Sequence, residues 1–134
     1  MQTIETYSAH CARYRRPDAL RAAAQIVTTA IPFLAFAAAM YFSVAVGYWL
    51  TLLLAIPTAG CAIRFFIIQH DCGHGSFFKS RRANDITGRL ASVLTITPYA
   101  YWRRLHALHH ASSAHLDRRG YGDISTLTVD EYTA

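Results

Sequence analysis

The sequence predicts an all-α integral membrane protein: a two-span transmembrane hairpin followed by cytoplasmic or interfacial helices that carry clustered histidines. Three observations predict it. Hydrophobic residues make up 53% of the 134 and charged residues only 16%, short of the charge an ordinary soluble domain carries. From Ala22 to Ile63 runs a stretch of 42 residues without Asp, Glu, Lys or Arg, while one crossing of a hydrocarbon layer about 30 Å thick takes roughly 20 helical residues. Six of the seven histidines then fall between residues 70 and 115.

The net charge of +5 lies wholly outside the apolar stretch. Arg13, Arg15, Arg16 and Arg21 precede it. Arg64 and eight more basic residues, from Lys79 to Arg119, come after it. Basic flanks with an uncharged connection place both flanks on the cytoplasmic side. The charge brackets a hairpin and forms no stripe, so nucleic acid is not the expected partner. Cys11, Cys61 and Cys72 form no C-x-x-C pair and are odd in number, which suggests free thiols in a reducing compartment. The apolar region is too long, and starts too late, for the core of a cleaved signal peptide.

Pro17 suits the first turn of a helix and Asp18 its positive end. The first span is expected at about 22–45, with Pro32 inside it, which a membrane helix tolerates. Gly47 marks the turn, and Tyr48 and Trp49 suit the far interface. The second span, at about 49–68, leaves the hydrocarbon near Arg64, whose side chain can snorkel, and its helix continues to about Gly75. Lys79, Arg81 and Arg82 are expected in a basic loop. Asn84 or Asp85 can cap a short helix in which Ile86, Leu90, Val93 and Leu94 share one face. That helix is too short to span and too apolar on one face for water, so it lies in the interface plane. After Pro98 a further helix is expected from about Tyr101 to Leu116, then a polar, turn-rich tail.

His70 and His74 are spaced i, i+4, and His106, His109 and His110 are spaced i, i+3, i+4. On a helix each set shares a face. Five imidazoles suit two metals better than one four-coordinate zinc, and imidazole without a thiolate cluster is compatible with iron. Asp71 is a candidate to orient a ligating imidazole, and His115 a candidate extra ligand or supporting group; a solvated role is the alternative for both. His10 reads as a surface residue, Cys72 as packing, and Trp102 as an interfacial anchor. Arg103 and Arg104 fit either phosphate headgroups or a solvated face.

His70-Asp71-Cys72-Gly73-His74-Gly75-Ser76-Phe77-Phe78 resembles the first histidine box of membrane fatty acid desaturases. His106-Ala107-Leu108-His109-His110 resembles their second, H-x-x-H-H, with Trp102-Arg103 ahead of it. The run from Asp117 to Asp123 is similar to the stretch just after that box in bacterial acyl-lipid desaturases of the omega-6 (delta-12) kind. The resemblance covers roughly residues 45–134. It implies an oxidoreductase with two non-haem irons and O2 as co-substrate, which desaturates fatty acyl lipids. Electrons would come from ferredoxin or a cytochrome b5-type protein. It also implies a multi-pass protein, expected in a bacterial inner membrane with the boxes cytoplasmic. Residues 1–21 would be a cytoplasmic lead and 22–134 the N-terminal part of a desaturase domain. The family has a third box beyond a second pair of spans, so residues 1–134 are expected to be a fragment, inactive alone.

Three rivals remain open. One is a membrane di-iron hydroxylase or ketolase. Another is a membrane zinc hydrolase, disfavoured because Asp71 stands where H-E-x-x-H chemistry wants Glu. The last is a non-enzymatic two-span protein that binds metal or haem.

Overall fold

In the computed structural model, residues 9–12, 14, 16–113, 115 and 127–134 are described, and every regular element among them is helical. The long helices are α1 (Ala19–Ser43) and α2 (Tyr48–His74); beyond them lie α3 (Arg81–Leu94), α4 (Tyr99–Ser112) and α5 (Val129–Thr133). Two compact units result, Met1–Tyr99 and Ala100–Ala134.

In the first unit, α1 begins where Pro17-Asp18 suggested. The Asp18 Oδ1 accepts the amides of Leu20 (2.9 Å) and Arg21 (3.1 Å). The Arg21 amide above all holds that carboxyl below the usual carboxylate range. α1 runs unbroken past Pro32 to Ser43, and α2 past Pro57. At 25 and 27 residues and a rise of 1.5 Å per residue, each is about 37–40 Å long. Both are long and apolar enough to cross a membrane. The helices, Ala19–Ser43 and Tyr48–His74, differ from the expected spans of 22–45 and 49–68: the first starts three residues earlier and ends two sooner, and the second continues six residues further, through His74.

A short reversal joins the pair, closed by the Gly47 and Val46 amides donating to the Ser43 carbonyl at 2.9 and 3.0 Å. Polar contacts then stitch α1 to α2 along their length. The Ser43 and Thr51 hydroxyls meet at 2.7 Å, and the Thr58 hydroxyl donates to Met40 Sδ at 3.1 Å. Arg64 donates from Nε to Thr29 Oγ1 (3.1 Å) and from Nη2 to Thr28 Oγ1 (3.2 Å). In lipid, where apolar contact alone gives helices little reason to associate, such interhelical hydrogen bonds and close packing do the holding. Phe33 meets Phe65 edge-on at 5.4 Å. Outward, Leu20, Val27, Ile31, Leu34, Leu53 and Ile56 are exposed, as a surface meant for acyl chains would be.

The buried core lies at the other end of the hairpin, where Ala22, Phe65, Ile68, Cys72, Phe77, Ala91 and Tyr99 pack together. α3 closes it with a face of small residues. Asn84, Gly88 and Ala91 are buried, while Ile86, Leu90 and Val93 stay exposed on the other side. That exposed stripe is the face expected in the interface plane. The start of α3 differs from expectation. Ser80 is its N-cap, accepting the Ala83 amide at 3.4 Å, so Arg81 and Arg82 lie in its first turn and not in a loop. Asn84 is 2% exposed and turns back on the preceding loop. Its Oδ1 accepts the Phe78 amide (2.9 Å), and its Nδ2 donates to the carbonyls of Phe78 (2.7 Å) and Ser80 (3.1 Å). α3 ends before Pro98, at Leu94, with Ile96 at a φ of 52° and the Thr97 amide donating to the Ser92 carbonyl at 3.1 Å.

In the second unit α4 stops at Ser112, one turn short of the expected Leu116. The Ser112 hydroxyl bends back to the Leu108 carbonyl at 2.8 Å. α5 is a short helix with a capping box, in which Thr128 and Glu131 satisfy each other's backbone amides.

Candidate metal centre

The first histidine pair sits on the last turns of α2. Gly75 ends that helix in the left-handed region, at a φ of 71°. The Ser76 amide closes back onto the Asp71 carbonyl at 3.0 Å, a Schellman-type finish that favours glycine. The glycine at position 75 therefore sets where the helix stops, just past His74. Cys72 lies on the opposite side, 1% exposed within the core, which confirms it as packing. Gln69, fully buried, accepts the Thr95 hydroxyl at 2.6 Å. Together Cys72 and Gln69 fix the rotation of the helix so that His70 and His74 point away from the core.

The geometry of that pair is specific. His70 and His74 bring their Nε2 atoms to 3.3 Å, with ring centroids 4.5 Å apart. The Asp71 carboxylate lies 3.2 Å from His70 Nδ1. A carboxylate there accepts a hydrogen bond from Nδ1–H and so makes Nε2, on the His74 side of the ring, the unprotonated nitrogen. His70 is half-buried and His74 exposed.

On α4 the second set repeats the arrangement. His106 and His110 place their Nε2 atoms 3.1 Å apart, with ring centroids at 4.5 Å. His109 sits beside them, its ring centroid 5.4 Å from that of His110 and 5.8 Å from that of His106. Trp102, one turn earlier, stacks on His106 with centroids 4.6 Å apart and planes 15° from parallel. That corrects the view of Trp102 as only an interfacial anchor. The i, i+4 spacing from Trp102 to His106 was the signal available for it. His115 falls beyond α4, exposed, with its backbone amide on the Ser112 carbonyl at 3.0 Å. His10 is exposed, its ring tilted 53° to that of Tyr14 with centroids 5.6 Å apart. The run from Asp117 to Asp123 lies outside the described residues.

Both pairs can be tested against a metal. With a metal–nitrogen distance of about 2.1 Å, two nitrogens at a right angle stand ~3.0 Å apart and two at a tetrahedral angle ~3.4 Å. The observed 3.3 and 3.1 Å fall within that bite. Imidazole nitrogens on one side, with a carboxylate behind one of them, make a donor set suited to a transition metal.

Comparison with known proteins adds the context. The profile of the family described as fatty acid desaturase matches residues 43–128. A fatty acid desaturase of Bacillus subtilis is 47% identical over 123 residues, 92% of this chain and 35% of that protein. An sn-1 oleoyl-lipid 12-desaturase of Anabaena variabilis is 41% identical over 78 residues, 58% of this chain and 22% of that protein. An sn-1 acyl-lipid omega-3 desaturase (ferredoxin) of Synechocystis is 44% identical over 52 residues, 39% of this chain and 14% of that protein. The chain thus spans only about a third or less of the length of these relatives. No solved structure matches.

Proposed function

The chain belongs to the fatty acid desaturase family, and from that premise we propose that it carries the first two histidine clusters of an oxygen-dependent acyl-lipid desaturase. The observation that carries the proposal is the chelating bite of the two pairs. His70 and His74, and His106, His109 and His110, would hold two non-haem irons. When bound, iron supplies the activation of O2 that an unactivated C–H bond requires. The net reaction removes two hydrogens from adjacent methylenes and, with O2, two electrons and two protons, yields a double bond and two waters. The protein's part is to hold and to orient. Asp71 fixes the His70 tautomer, Trp102 fixes the plane of His106, and α2 carries His70 and His74 beside the bilayer that contains the substrate.

The finer points extend the same proposal. Residues 1–21 form a cytoplasmic lead and 22–134 the N-terminal part of the desaturase domain, multi-pass in a bacterial inner membrane with the histidines cytoplasmic. Ferredoxin or a cytochrome b5-type protein donates the electrons. Five histidines leave two irons short of ligands and open to water, so residues 1–134 alone would not desaturate. His115 remains a candidate extra ligand.

The experiment is a chimera in which this chain replaces the matching N-terminal part of the Bacillus subtilis relative, expressed in a host without desaturases. Gas chromatography of the fatty acids should show new double bonds, lost with His70→Ala or His110→Ala, and none from residues 1–134 alone. Alcohols in place of double bonds would favour the hydroxylase alternative. A membrane-inserted chimera with bound iron and no product would refute the proposal.

A further inference from the structure

We propose that a cleft at the foot of α1 binds the phosphate of an anionic phospholipid. A cavity of about 710 Å³ opens between the segment leading into α1 and the loop joining α2 to α3, a volume typical of ligand pockets. Arg16, Arg21 and Lys79 line it, against the single carboxylate of Asp18. Arg16 and Arg21 flank the start of α1, while Lys79 arrives from beyond the far end of α2, so the fold and not one local run gathers the charge. Asp18 is already engaged. Its Oδ1 caps α1, and its Oδ2 lies 3.9 Å from Arg21 Nε. One carboxylate against three cations leaves the cleft positive, and a phosphodiester is the complementary charge.

What the cleft adjoins selects a lipid over a soluble anion. Leu20 lines it and is 80% exposed. Val27, Ile31 and Leu34 are exposed as well, and their spacing of seven, four and three residues from Leu20 onward puts all four on one face of α1. A phospholipid with its phosphate among Arg16, Arg21 and Lys79 can lay an acyl chain along that face. Inorganic phosphate would use the charges alone. The histidines take no part, so this inference depends on the membrane placement of α1 and α2 and not on the iron chemistry.

The test is the full chain in phosphatidylcholine nanodiscs containing a small fraction of phosphatidylglycerol, with the retained lipid identified by native mass spectrometry. Phosphatidylglycerol should be retained in preference. A cation beside an anionic lipid surface is worth about five-fold in binding, so Arg21→Gln with Lys79→Gln should cut the preference about 25-fold. Arg21→Lys with Lys79→Arg should keep it, which controls for folding. Arg82→Gln with Arg89→Gln, the same loss of net charge on α3 outside the lining of the cleft, should leave it in place. Equal losses from the two Gln pairs would reduce the effect to general attraction and overturn the site. So would undiminished retention after Arg21→Gln with Lys79→Gln, or displacement of the lipid by excess inorganic phosphate. Desaturation is not read in any arm, so an inactive chimera would not bear on the result.

Discussion

Replacing Gly88 by alanine tests the packing of α3 against the Tyr99 ring. In a solvent- or lipid-facing helix the change should stabilise by about 1 kcal/mol, the difference in helix propensity. Here the new Cβ would stand 2.3, 2.6 and 2.9 Å from three ring atoms of Tyr99, where carbon atoms prefer roughly 3.5–4.0 Å. The ring has little room to retreat, because Tyr99 is 4% exposed in the core and its hydroxyl donates to Asp85 Oδ1 at 3.3 Å. Overpacking of that kind costs about 1–3 kcal/mol. Set against the propensity gain, the stabilisation should be cancelled or reversed, to a net loss of up to about 2 kcal/mol. Gly60 is the internal control. A Cβ there meets nothing within 4 Å, so Gly60→Ala should be neutral or stabilising. The assay is the rate of maleimide labelling of Cys72 in detergent micelles, in a Cys11→Ser, Cys61→Ala background. Cys72 is buried in the same core as Tyr99, so it labels only when that core opens. If Gly88→Ala labels no faster than Gly60→Ala, Tyr99 does not pack on Gly88 and the account of this core is refuted.

Asn84→Ala should destabilise by about 2–4 kcal/mol, because three hydrogen bonds go and the Phe78 amide and carbonyl lose their partner; thermal unfolding in detergent reads it. Ile96→Gly should stabilise by about 1 kcal/mol in the same assay, since a β-branched residue is strained at positive φ and this one is 90% exposed, with little packing to lose. Asp71→Ala in the chimera should lower iron affinity roughly 10–100-fold by chelator competition, since the residue behind a ligating imidazole sets its tautomer; unchanged affinity would show that the contact at 3.2 Å does not orient His70.

The hairpin was legible because two simple signals agree: an uncharged run of twice the spanning length, and arginines at both ends. The start of α1 was legible too, since Asp18 caps by a bond to its own neighbours. Ser80 was not, because Asn84 and Asp85 are equally good caps on composition and stand closer to the apolar periodic residues. Asn84 is drawn inward by the Phe78 loop, a tertiary contact that propensity does not see. The histidine pairs emerged from helical spacing, and the structure gives each one its bite. Trp102 on His106 carried the same i, i+4 signal, masked by the habit of aromatic residues to sit at interfaces. The clasp of Arg64 on Thr28 and Thr29 spans some 35 residues of sequence, and no local pattern announces it. The cavity beside Lys79 was likewise hidden, since its walls come from opposite ends of the hairpin.

The stacking of Trp102 on His106 has an optical consequence. The chain has two tryptophans, and Trp49 stands on the first turn of α2, at the opposite end of that helix from His70 and His74. With Trp49→Phe, a single indole remains, lying flat against a candidate ligand at 4.6 Å. A paramagnetic ion taken up at His106 would sit one imidazole away from that indole and drain its excited state. The helix thus contains its own fluorescence gauge, able to track metal loading of the purified protein in real time, with no added dye.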